Sequence, residues 1–329
     1  MDILFLVAIC LLLSAPRTTS GRFYPTIQQT VSPPEDMLRI LPQVGTAKVR
    51  RDSRLDRASI NATSSSRPQM GLVSDQPGAS VNYYAAHETE FSGDYHGVIA
   101  TMDVYGFTLS VEQLSSACIW ILNTGGGALS NYNIIQIGWQ VSPYLYGDSK
   151  THFFTVWTRD GFKETGCYNT RCSGFESESG ATVAPGAAID NISQPKGAKQ
   201  NLTIKVVKDD ASGDWLVHYG LNADPTLIGR FPSSLFTGLA DKATAIEFGS
   251  MVSTRTTNLA PMGSGFLPSA AGDVSAAASF SNLQFIDRNG RASPVASDLP
   301  DYVSNWDLYS VTPIVDGRFF YGGPSRPTI

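Results

Sequence analysis

Gln136 and Glu247 are the two side chains whose placement in this sequence suggests chemistry. Gln136 lies in Asn133-Ile-Ile-Gln136-Ile-Gly138-Trp139-Gln140-Val141, and Glu247 in Ala245-Ile246-Glu247-Phe248-Gly249. A glutamate exchanges a proton; a glutamine does not, but its amide donates and accepts hydrogen bonds. Along an extended strand, successive side chains point to opposite faces. Ile135, Ile137, Trp139 and Val141 then share an apolar face, while Tyr132, Ile134, Gln136, Gly138 and Gln140 share the other. The second segment repeats the pattern: Ile246, Phe248 and Val252 on one face, Ala245, Glu247, Gly249 and Met251 on the other. Gly138 and Gly249 each follow the polar residue by two positions on its own face, where a missing side chain leaves room for a ligand backbone. Such a face either lines a cleft, with Tyr132, Gly138, Gln140 and Gly249 as substrate-binding positions, or decorates a solvent-facing sheet. Alternation alone leaves both open.

Other chemistries find little support. His87, His96, His152 and His218 lie in no metal-spaced motif such as His-Glu-x-x-His, and no Gly-x-Ser-x-Gly elbow is present, so neither a metal nor another cofactor is expected. Gly125-Gly126-Gly127 lacks the lysine and helix context of a phosphate loop and reads as a turn. Cys167 and Cys172, flanked by Gly166 and Gly174, suggest a small disulfide loop worth about 2 kcal/mol by chain entropy. Cys118 sits in the apolar run Ala117-Cys118-Ile119-Trp120 and reads as a buried thiol.

These residues need strands to position them, and from about Val81 onward the sequence supplies them. Runs of Val, Ile, Tyr, Phe and Thr recur between Gly, Pro, Asn and Ser clusters. The pattern predicts strands at 96–104, 116–122, 132–141, 152–157, 202–208, 215–219, 226–230, 245–252, 278–286 and 317–321, and one short helix near Ser233–Ala240. With no βαβ alternation, the expected fold class is all-β: an antiparallel two-sheet β-sandwich preceded by a mostly irregular N-terminal leader. Residues 1–20 carry a short apolar run (Ile3 to Leu13) ending in small residues, the form of a signal peptide, which points to a secreted, extracellular protein. Residues 21–78, rich in Pro, Ser, Arg and Asp, read as a solvated leader or a removable activation propeptide. Residues 79–329 form the predicted sandwich domain. Asn61, Asn191 and Asn201 head Asn-x-Ser/Thr sequons and are candidate glycosylation sites. The formal charge of −5 gives no reason to expect nucleic acid as partner, and no later segment is apolar over the length of a membrane span.

Several motifs in order carry a resemblance: Tyr95-His96-Gly97, Gly138-Trp139-Gln-Val-Ser-Pro143, Leu145-Tyr146-Gly147-Asp148, Gly166-Cys-Tyr-Asn169, Gly229-Arg-Phe-Pro232, Ala245-Ile246-Glu247-Phe248-Gly249, Met262-Gly263-Ser264-Gly265 and Tyr321-Gly322-Gly323-Pro324. Together they resemble the neprosin family of plant glutamic peptidases, over about Ala85 to Gly323. The resemblance implies a secreted β-sandwich with an N-terminal activation segment. It also implies water-mediated hydrolysis of a peptide or protein substrate, often after proline, by two glutamates facing each other across a cleft. The second glutamate carries over onto Glu247; the first falls on Gln136, a departure from the family pattern. The segment around Trp306-Asp307-Leu308-Tyr309 also lacks the cysteine of the family segment it resembles.

With that departure the resemblance implies a Gln136/Glu247 dyad. Glu247 would be the general base, and the Gln136 amide would donate to the oxyanion, an interaction worth roughly 3 kcal/mol. The fungal eqolisin type of glutamic peptidase, with one Gln and one Glu on a β-sandwich, resembles this arrangement. Losing proton exchange at one position typically costs about 10²–10⁴-fold in rate, so activity is expected to be weak or lost. The alternative is a catalytically inactive peptide- or glycan-binding sandwich, with Tyr132, Tyr144 and Tyr146 as stacking candidates.

Overall fold

A computed structural model describes residues 80–255, 257–268 and 274–324. The expected signal peptide, the whole of the expected leader (21–78) and Asn61 lie outside these residues. In chain order the strands are β1 (Val81–Glu88), β2 (Gly97–Asp103), β3 (Gln113–Asn123), β4 (Asn133–Val141), β5 (Thr151–Thr158), β6 (Cys167–Tyr168), β7 (Glu176–Ser177), β8 (Ala188–Ile189) and β9 (Asn201–Lys208). They continue with β10 (Trp215–Leu221), β11 (Thr226–Phe231), β12 (Ala245–Thr254), β13 (Met262–Gly263), β14 (Ala278–Ile286), β15 (Ala292–Pro294), β16 (Asp301–Val303), β17 (Ser310–Val311) and β18 (Phe319–Gly323).

The strands form two antiparallel sheets. One runs β16-β1-β12-β3-β4-β5-β6, with β8 beside β5; the other runs β13-β18-β14-β2-β9-β10-β11-β7, with β15 and β17 on its margins. The main core lies between them. Ile119, Ile121, Ile135, Ile137, Trp139, Phe248 and Val252 of the first sheet meet Val98, Ala100, Met102, Ile204, Val206, Val217 and Phe280 of the second. Trp139 Nε1–H donates to Asp103 O at 2.9 Å, so the largest side chain of β4 reaches across to β2 with its polar atom satisfied. This is the predicted two-sheet sandwich, with the predicted apolar face of β4 turned inward.

Three expectations change. Val81–Glu88 is a full strand, placed between β16 and β12, although the sequence reading began its strands at His96. No helix forms over Ser233–Ala240; a single 3₁₀ turn spans Ser233–Leu235. The Thr237 and Leu239 N–H groups donate to Asn133 Oδ1, at 2.8 and 3.3 Å, instead of to carbonyls one turn earlier. The last strand starts later than predicted, at Phe319, because Asp316 and Gly317 have φ of 50° and 66° and turn the chain.

Candidate active site

The ladder registers put the chemistry-bearing residues in one line across the first sheet. Glu88 of β1 opposes Glu247 of β12, which opposes Trp120 of β3, which opposes Gln136 of β4. The line continues through Val156 of β5 to Tyr168 of β6. Directly opposed residues of antiparallel strands project to the same face. Gln136 and Glu247 therefore share a face, with backbones two strand spacings apart, about 10 Å, and Trp120 between them. The adjacent row is Tyr302, Ala86, Gly249, Cys118, Gly138 and Phe154, a run of small residues bounded by two rings.

This face is not open to solvent, contrary to one of the two readings alternation allowed. Gln136 is 3% exposed and Glu247 2%. They lie among Tyr84, Trp120, Tyr132, Phe154 and Phe162, against which Phe91, Tyr168 and Tyr302 pack. Within that apolar surround, Glu247 Oε1, Trp120 Nε1 and Gln136 Nε2 are buried without a hydrogen-bond partner among the described residues. Buried polar groups are nearly always paired, and an orphan costs about 1–3 kcal/mol. Three in consecutive positions of one row make an acceptor or acid followed along the row by two N–H donors.

The neprosin family profile matches residues 111–324, well over half of the chain. The chain belongs to the neprosin family. Solved structures similar to it include "Crystal structure of scytalido-glutamic peptidase with a transition state analog inhibitor", at 11% identity and a TM-score of 0.42, covering 75% of this chain and 100% of that one. Another is "Structure of SCP-B a member of the Eqolisin family of Peptidases in a complex with a Tripeptide Ala-Ile-His", at 10% identity and a TM-score of 0.39, covering 75% and 100%. Likeness at this level carries nothing over from those proteins to individual residues.

In this neprosin-family chain the electrostatics of the row follow from burial. Loss of solvent raises the Glu247 carboxyl well above the ordinary glutamate range, and the neighbouring Glu88 raises it further. Burial, then Glu247, raises the Cys118 thiol, so it stays neutral, as a buried free cysteine should. Tyr84 is raised by burial, Tyr302 and Glu247. The site thus favours neutral forms, and Glu247 holds its proton to higher pH than an exposed glutamate would.

The remaining expected positions divide by role. Tyr132 packs in the aromatic surround. At Gly138 an added Cβ would lie 2.0 Å from Ala117 O, and at Gly249 2.4 Å from Ala86 Cβ, so the sheet itself demands both glycines. Gln140 supports its neighbours: its Nε2–H donates to the Tyr146 hydroxyl at 2.9 Å, as Asn169 Nδ2 does at 3.1 Å. Tyr146 stacks on His152, centroids 3.8 Å apart, and the His152 ring nitrogens face Gly186 O and Asp148 Oδ1. Asn169 sits in the loop closed by the Cys167–Cys172 disulfide, as expected from the spacing. Asn191 and Asn201 are both exposed. Among the described residues no His/Cys/Asp/Glu group is arranged to hold a metal, and no helix is long and apolar enough to cross a membrane.

Sequence reasoning missed Trp120 and Glu88 as members of the row. Alternation along β1 already puts Tyr84, Ala86 and Glu88 on one face and Tyr83, Ala85 and His87 on the other. What it lacked was β1's partner strand.

Proposed function

We propose that this neprosin-family domain is a peptidase that hydrolyses peptide bonds with water, using the row Glu247–Trp120–Gln136. The observation that carries the reading is the set of three buried, unpartnered polar atoms in that row. A scissile carbonyl lying across Trp120 would receive hydrogen bonds from Trp120 Nε1–H and the Gln136 amide, the two donors of an oxyanion hole. Glu247 beside it would exchange the proton that must move between the attacking water and the leaving nitrogen. The family's chemistry uses two carboxyls, and Gln136 supplies none, so a modest rate is expected. The family membership further suggests a secreted glycoprotein made with a signal peptide, with residues 21–78 as an activation segment, glycans on Asn191 and Asn201, and proline-containing substrates.

A second reading, a peptide- or glycan-binding sandwich without chemistry, draws on one observation: Gln136 cannot exchange a proton where the family uses a carboxyl. One assay separates the two. The purified chain, with and without residues 21–78, is incubated with a proline-containing peptide across acidic to neutral pH. Cleavage that Glu247→Gln abolishes supports the peptidase; saturable peptide binding without turnover, unchanged in Glu247→Gln, supports the binding module.

A further inference from the structure

Peptide hydrolysis by paired carboxyls requires one ionised to take a proton from water and one protonated to give a proton to the leaving group. In the row described above, Gln136 can be neither. A second carboxyl does stand in the row, on the other side of Glu247. Glu88 opposes Glu247 directly in the β1–β12 ladder. The neighbouring Thr89 N–H donates to Ile246 O at 3.0 Å, whereas Glu88 N–H points away, to Pro300 O at 2.9 Å. Glu88 and Glu247 therefore form a non-hydrogen-bonded pair. That is the closer kind of antiparallel pair, with Cα atoms about 4.5 Å apart and side chains together on one face.

We propose that Glu88 is the second carboxyl of the site, sharing one proton with Glu247 across this ladder, with Glu88 as the base and Glu247 as the acid. The proposal rests on the peptidase reading for its chemistry, but not for the shared proton. Two carboxylates this close do not both ionise readily. Solvent decides which keeps the charge. Glu247 is 2% exposed, with an orphaned Oε1, whereas Glu88 is partly exposed and lines a surface cleft of ≈ 470 Å³ with Thr89, Glu90, Phe91, Ser92 and Pro300. The negative charge thus rests on Glu88 and the proton on Glu247. The raised Glu247 carboxyl, with burial as first cause and Glu88 as second, agrees. The other titratable groups acting on this pair are Tyr84 on the same strand as Glu88, Cys118 on β3 and Tyr302 on β16, all held neutral by burial first of all.

The steps balance. Glu88 takes a proton from water as its oxygen bonds to the carbonyl carbon, and the oxyanion forms against Trp120 and Gln136. As the C–N bond breaks, Glu247 gives its proton to nitrogen. The proton on Glu88 then returns to Glu247; the single negative charge passes from Glu88 to the oxyanion, then to Glu247 as the oxyanion collapses, and back to Glu88.

The test uses the full chain and two independent readouts. Carboxyl titration, followed by ¹³C NMR of glutamate-labelled protein or by infrared difference spectra, is compared for wild type, Glu88→Gln and Glu247→Gln. Removing Glu88 should lower the Glu247 midpoint by about one pH unit or more, while Glu88→Asp restores much of the shift. An unchanged midpoint in Glu88→Gln overturns the shared proton, whatever the activity. On a cleaved peptide, Glu88→Gln should lose about 10²–10⁴-fold in kcat, and Glu88→Asp should recover part of it. Wild-type kcat and an unchanged pH profile in Glu88→Gln overturn the catalytic role. If Glu247→Gln is as active as wild type, it is the peptidase reading that fails, and the titration alone decides the pair.

Discussion

Burial gives Glu247 its chemistry, and the same burial makes a stability prediction. Its carboxyl is raised in the fold, so the folded chain holds that proton more tightly than the unfolded chain does. The resulting stability is fully present below the ordinary glutamate value of 4.5 and is lost as pH rises through the raised folded value. In thermal melts at several pH values, Glu247→Gln should therefore gain on wild type progressively above that ordinary range. Parallel curves would show that Glu247 titrates normally. Gln136 tells a related story, since its Nε2 is a buried orphan. Gln136→Met keeps the volume and removes the orphan, so Tm should hold or rise by the equivalent of about 1–2 kcal/mol. Catalysis should fall about 10²–10³-fold, as for an oxyanion donor. A residue that costs stability and supports rate belongs to a site; one whose replacement lowers both is packing.

At the scale of the element, strand-to-strand closeness shapes the face that carries the polar row. Gly138 and Gly249 sit in the row next to the polar one, where a Cβ would run into Ala117 O or Ala86. Gly138→Ala should cost about 1–3 kcal/mol in denaturant melts; an unchanged midpoint would show that the strands part there without cost. At the sheet's far end, the Cys167–Cys172 loop carries Asn169, which holds the Tyr146 hydroxyl. Replacing both cysteines with serine should lower stability by about 2 kcal/mol. Element type was legible where apolar alternation was strong: β14 lies at Ala278–Ile286, as predicted, and β4 begins one residue inside its predicted start. It failed at Ser233–Ala240, where Asn133, about a hundred residues away in sequence, takes the N–H groups a helix would have used. No local propensity encodes that partner.

Over the whole molecule, the sandwich is held by the core between its sheets, and the candidate site lies on the outer face of one of them. Core and site should then respond separately. Phe280, fully buried and stacked on Phe319 with centroids 5.2 Å apart, belongs to the core alone. Phe280→Ala should cost about 3–5 kcal/mol, yet leave kcat/KM near wild type for the fraction that stays folded. Loss of activity beyond the unfolded fraction would mean that the second sheet shapes the site directly.

By itself the sequence determined the strand period, the inward face of β4 and β12, the disulfide spacing and the motifs of the neprosin family, because each depends on residues near one another along the chain. It also named Gln136 and Glu247 and put them on like faces of their strands. Only the tertiary structure decided that their shared face is buried, that Trp120 separates them, and that Glu88 stands on Glu247's other side. Register and strand order come from pairing between distant segments, and a one-residue slip would have turned Glu88 to the opposite face. Alternation can say which way a side chain points, but the neighbour it meets there depends on which strand pairs alongside.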